Sequence, residues 1–299
     1  MCSHGRFVPG LITILFLFLA GTAGTTEVNP EKWKKSLSVD ITTTQTSYSD
    51  SWVGGEAGSV NWVSNLNALS EKQIKHWFEI KTTLKLSFGQ TLTQDADDKS
   101  WGKPKKSTDL IDCENVGRFT TGKFVDPYTA FRVESQFMDA SDTLKKLYFN
   151  PVKLTESAGI TRKFFENDGS FITSRFGLGL RQIFKRAVND QLATVDSTLV
   201  DGGIESVTDI DIHVNDKLRY TGKLTLYKAL YFSRMDDVKG TPYEDDWKAI
   251  DINWENIVSA SITKIVAVNL YTQLLYDKEV SSKGRFKQTL AIGFVFKMI

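Results

Sequence analysis

Residues 76–90 read HWFEIKTTLKLSFGQ, with Phe78, Ile80, Thr82, Leu84, Leu86 and Phe88 at even positions and Glu79, Lys81, Thr83, Lys85 and Ser87 at odd ones. A period of two sustained this long describes a strand with one apolar and one polar face, since nothing recurs at helical spacing. At about 3.3 Å per residue, about ten residues tilted by roughly 40° climb about 25 Å, the height of the apolar band of an outer-membrane barrel.

The alternation returns along the rest of the chain and predicts strands over residues 36–49, 56–70, 76–90, 107–120, 128–138, 150–165, 170–184, 203–214, 218–232, 247–261, 264–276 and 285–297. A short turn is expected at 71–73. Connections after odd-numbered strands are mostly long (91–106, 139–149, 185–202, 233–246, 277–284, with 50–55 the modest member), and those after even-numbered strands are short. Long loops on one side and tight turns on the other, with both chain ends on the tight-turn side, are the habit of outer-membrane barrels. The fold expected is therefore all-β, an antiparallel up-and-down transmembrane β-barrel of about 12 strands.

In that arrangement the apolar positions face lipid, and aromatics at the strand ends form a girdle: Phe78 and Phe88, Tyr220 and Phe232, Tyr276, Phe286 and Phe296, and Phe294. Parity turns Lys81, Lys85, Arg132, Glu134, Arg175, Arg181, Lys223, Asp251 and Glu255 inward. Strands 203–214 and 218–232 both carry apolar residues at even numbers, so the turn between them has an odd length. A turn at 215–217 sets His213 opposite Arg219 and Asp209 opposite Lys223, and with Asp211 it predicts a lumen braced by cross-strand charges. Mixed charge of this kind predicts a plugged or narrow interior without strong ion selectivity. In the loops, Asp95, Asp97 and Asp98 read as a solvated segment ahead of a calcium site. Trp52, Gly54 and Gly55 read as an aromatic-anchored hairpin loop.

The first residues have another purpose. Arg6, the apolar run 11–20 and the small residues Gly21, Thr22 and Ala23 describe a signal peptide over 1–23, removed on export. A periplasmic lead-in over 24–35 and the barrel over 36–299 follow. The apolar run is too short to span a bilayer as a helix, and no later run is longer, so a membrane-spanning chain here has to cross with strands.

Composition narrows the possible chemistry. Lys and Arg number 37 against 36 Asp and Glu, which lacks the basic excess of a nucleic-acid binder. Loss of the leader removes Cys2 and leaves Cys113 alone, so neither a disulfide nor a cysteine metal site is expected; Cys113 reads as a small apolar strand residue. His76 and His213 both fall beside short turns, and no nucleophile-elbow, phosphate-loop or zinc motif occurs. No catalytic residue, cofactor or metal is expected.

The last strand, LAIGFVFKMI, resembles the terminal strand that the barrel-assembly machinery reads in bacterial outer-membrane proteins, although Lys297, Met298 and Ile299 follow Phe296 where such strands usually end on an aromatic. TQTSYSDSWVGGEAGSVNW (44–62) and NPVKLTESAGITRKFF (150–165) resemble a family of secreted bacterial proteins of unknown function predicted to be outer-membrane barrels. The resemblance implies an outer-membrane location, with membrane lipid and the assembly machinery as partners. That family has no assigned activity, so the resemblance assigns no residue a role. The expected function is a non-enzymatic barrel, structural or a narrow, plugged passage for small solutes. Its rivals are an outer-membrane enzyme acting on envelope lipid and a soluble periplasmic barrel holding an apolar ligand inside.

Overall fold

A computed structural model describes residues 33–47, 57–95, 97–141, 145–167, 169–189 and 192–297. The segment expected to be a signal peptide, most of the expected lead-in and the Trp52–Gly55 loop fall outside the described residues, as do the side chains of Val295, Phe296 and the residues after them.

Twelve antiparallel strands close into one barrel, each pairing with its neighbours in sequence, and the first closes on the last. They are β1 (Lys34–Thr46), β2 (Ser59–Lys75), β3 (Phe78–Thr93), β4 (Lys105–Phe119), β5 (Asp126–Ser135) and β6 (Val152–Asn167). The second half holds β7 (Ser170–Val188), β8 (Thr194–His213), β9 (Leu218–Phe232), β10 (Ile250–Ser261), β11 (Val266–Asp277) and β12 (Ser281–Lys297). Between β5 and β6 a small ribbon pairs Met138–Asp139 with Leu147–Tyr148. The barrel wall starts at Lys34, inside the segment read as lead-in.

Among the boundaries that differ from expectation, two sets have a plain physical reason. Residues 71–73 are strand, because Glu71 and Gln73 keep the inward parity and the turn is deferred to His76 and Trp77. The connections expected at 185–202 and 277–284 shrink to 189–193 and 278–280. Beyond the apolar band a strand needs only its backbone ladder, so polar residues such as Lys185 and Ser197 stay paired without an apolar face. Long connections remain at 94–104, 136–151 and 233–249 on one rim, against short turns on the other.

The two faces are chemically opposite. Phe176, Leu178, Phe286, Leu290 and Ile292 are 55–68% exposed on the outside, while Arg175, Arg181, Asp201, Glu205 and Asp211 are under 9% exposed within. In a water-soluble chain those classes change places. The soluble barrel with an apolar interior is therefore not the arrangement found, and the outer face is that of a membrane-spanning barrel.

Glu156 breaks this rule. It sits on the outer face between Phe131 and Leu180 on the flanking strands, with Leu154 and Ala158 beside it along β6. A carboxylate facing hydrocarbon is unfavourable by less than the cost for Lys or Arg at the same depth. Glu156→Leu is expected to raise the unfolding free energy in lipid vesicles by about 1 kcal/mol, read from urea titration followed by tryptophan emission. An unchanged midpoint would place Glu156 away from the hydrocarbon.

Candidate functional site

The interior is organised by β4, whose even positions point inward. Glu114 accepts hydrogen bonds from Arg175 Nη2 at 2.7 Å and from Lys223 Nζ at 2.8 Å. Lys223 belongs to β9, and β5, β6, β7 and β8 lie between it and β4 in the wall, so this contact crosses the lumen. Lys85 on β3 and Glu255 on β10 make a second crossing at 3.4 Å, with β2, β1, β12 and β11 between them. A circular wall of this strand number at about 4.8 Å spacing has a backbone diameter on the order of 20 Å. An extended lysine and glutamate together cover only about 15 Å of such a width, so the wall is drawn inward at this level.

Further pairs line the same layer. Arg132 donates from Nε and Nη2 to both oxygens of Asp112 at 2.8 and 2.9 Å, a bidentate fit. It also lies 3.2 Å from Glu134, which faces Lys153 at 3.3 Å. Toward the long loops, Arg181 bonds Asp201 at 2.7 Å and Asp251 at 2.6 Å while its guanidinium lies 3.6 Å from the Tyr227 ring. The Tyr227 hydroxyl donates to the same Asp201 at 2.6 Å. Small cavities flank this layer. One of about 190 Å³ near the short turns is bordered by Glu79, Arg118 and Lys163, and one of about 160 Å³ toward the long loops by Arg132, Arg181 and Arg285. Both fall short of the roughly 300 Å³ at which ligand sites usually begin.

The residues expected in the lumen network are distributed as follows. His213 is opposite Arg219 and Asp209 opposite Lys223, the register that the expected three-residue turn at 215–217 sets. The contacts themselves differ from those pairings. Arg219 forks onto Asp211, and Lys223 passes Asp209 to reach Glu114. Asp209 lies 3.8 Å from Arg175. Lys81 lies 5.0 Å from the Phe171 ring. His213 is exposed at the short-turn rim, and its backbone N–H donates to Ser170 Oγ at 2.9 Å. His76 is exposed at the same rim. Glu114, Asp112 and Asp201 were not among the expected partners, because parity gives a side chain's direction and says nothing about what it meets across the barrel.

The girdle residues also divide. Phe78 packs against Phe119 at 5.2 Å and Phe88 against Trp62 at 5.9 Å, while Phe286 and Phe294 are exposed outside. Tyr220 donates its hydroxyl to Asn256 at 2.6 Å, and Tyr276 is half-buried. Phe232 is a correction: it is 5% exposed and stacks on Trp247 at 6.0 Å. The register slips where Gly202 meets Tyr231 and Gly203 meets Ala229, so Leu230 is an extra residue. That bulge reverses the parity of β9, sending Tyr231 outward and Phe232 inward.

Outside the barrel wall, Asp95 Oδ1 accepts the backbone N–H of Asp97 at 2.9 Å and of Asp98 at 3.4 Å. Hydrogen bonds from Ser100 hold the Asp98 carboxyl below its ordinary range. These carboxylates cap their own loop, and no group of three or more His, Cys, Asp or Glu among the described residues is arranged to hold a metal. Cys113 lies between Leu84 and Val133 on the outer face.

Residues 43–140 match the family described as Protein of unknown function (DUF3078). That is about a third of the chain; it includes the segment 44–62 and ends before 150–165. No curated protein matches. Among solved structures, an outer-membrane channel from Pseudomonas putida F1 is 12% identical with a TM-score of 0.42, covering 93% of this chain and 100% of that one. The translocator domain of the autotransporter NalP from Neisseria meningitidis is 8% identical with a TM-score of 0.36, covering 88% of this chain and 87% of that one. The NanC porin is 10% identical with a TM-score of 0.36, covering 88% and 100%.

Proposed function

We propose that the chain is a non-enzymatic integral barrel of the bacterial outer membrane whose interior is shut by ion pairs, acting as a scaffold in that membrane and not as an open passage. The short turns and both ends of the wall then face the periplasm, and the long loops face outward. Outer-membrane lipid surrounds the wall, and β12 is the element offered to the assembly machinery.

The observation that carries this is the pair of contacts crossing the lumen, Lys223 to Glu114 and Lys85 to Glu255. A passage for solutes along this line has to break both, and separating Glu114 from Lys223 leaves charges largely away from water. Purified chain in a planar bilayer is expected to give no steady conductance at neutral pH. Stable open-channel currents from the unaltered chain would overturn the closed interior.

A further inference from the structure

Along the outer side of the short-turn rim, cations and aromatic rings occur together. Lys72 and Lys35 lie 5.4 and 6.0 Å from the Trp33 ring, and Lys75 lies 5.8 Å from Trp77. The Arg162 guanidinium lies 3.4 Å from Phe124 and 5.4 Å from Phe164. Arg118, Arg132, Arg175, Arg181 and Arg219 each have a carboxylate partner. Arg162 has none among the described residues, and its Nη1 is enclosed without a hydrogen-bond partner. A buried donor left in that condition costs about 1–3 kcal/mol, so the surroundings of the rim should supply an acceptor.

The neighbours of Arg162 on its own sheet give its Nη1 no hydrogen-bond partner among the described residues. Ser174 stands opposite on β7, but its hydroxyl is engaged with Thr208 Oγ1 at 2.8 Å. Ile160 precedes it on the outer face, and the adjacent Lys163 is paired with Glu166 at 2.7 Å. Phe124 and Phe164 are 77% and 62% exposed. Both rings lie beside the guanidinium with most of their surface open, and burying such a face in hydrocarbon is favourable. With both rings turned toward the acyl chains of a bilayer, the guanidinium beside them would stand at headgroup depth. The abundant anion there is phosphate, which a guanidinium binds through two parallel N–H groups.

We propose that Arg162, flanked by Phe124 and Phe164, binds the phosphate of an anionic phospholipid headgroup in the leaflet at the short-turn rim. The site rests on the membrane orientation argued above, and its test separates the two. Full-length folded chain in detergent is titrated with phosphatidylglycerol and followed by native mass spectrometry, and gel migration is compared before and after heating on the same samples. Arg162→Gln should bind its tightest lipid about tenfold more weakly, Arg162→Lys should recover part of the loss, and inorganic phosphate at equal concentration should not compete. A heat-shifted Arg162→Gln that binds lipid like the unaltered chain overturns the site alone, as does equal competition by inorganic phosphate. Unaltered chain that shows no heat shift overturns the orientation and the site together.

Discussion

Glu114→Ala is expected to lower the unfolding free energy by about 3 kcal/mol, because it leaves two cations facing each other with their shared anion gone. The side chains of Glu114 and Lys223 are 13% and 12% exposed, so the arithmetic is that of a buried pair and not of a surface one. Arg175 keeps Asp209 at 3.8 Å, while Lys223 loses its only ion-pair partner among the described residues. Adding Lys223→Ala should therefore return part of the lost stability, an interaction that a double-mutant cycle in urea reads directly. Combining Glu114→Ala with Lys85→Ala removes these two ion pairs from the lumen and should turn a silent barrel into a conducting one. Equal stability of Glu114→Ala and the unaltered chain would show that the crossing does not brace the fold.

The second large effect belongs to backbone. Gly159 and Gly177 face each other across β6 and β7. A Cβ added at Gly159 would collide with the Phe176 carbonyl and Gly177 Cα, and one added at Gly177 would collide with the Ala158 carbonyl. Backbone cannot swing aside as a side-chain tip can. Gly159→Ala is expected to cost about 3 kcal/mol, at the upper end of overpacking, and to reduce the heat-shifted fraction after refolding into detergent. Gly202→Ala is the matched control, since its nearest neighbour is the Leu180 Cδ1 at 3.9 Å, and it should change stability by less than about 0.5 kcal/mol. Similar losses at both positions would mean that glycine content in general, and not the close approach at Gly159, sets the cost.

Alternation along 76–90 was enough to show a strand with two unlike faces, because a period of two is imposed by the pleat itself. Parity between β8 and β9 likewise required an odd turn, since a slip of one residue would have turned Ile210 and Leu224 inward, and a turn of three residues then pairs Asp209 with Lys223. What escaped the sequence was of two kinds. The bulge at Leu230 reverses parity without any change in composition, so Phe232 looked like its neighbours. Contacts across the lumen join β4 to β9 and β3 to β10, and their distance depends on how far the whole wall flattens, which no local pattern records. Arg162 gives no such signal, because Phe124 comes from the turn before β5 and Phe164 from the end of β6, and the register of those two strands brings them together.

The central claim is that lipid meets the even positions of β3 and never the odd ones. With Cys2 and Cys113 replaced, spin labels are placed singly at each residue from 82 to 87 and the chain is reconstituted in phospholipid vesicles. Collision with lipid-dissolved oxygen should be high at 82, 84 and 86 and low at 83, 85 and 87. High collision at 83, 85 and 87, or no alternation at all, would contradict a barrel that keeps its charges inside.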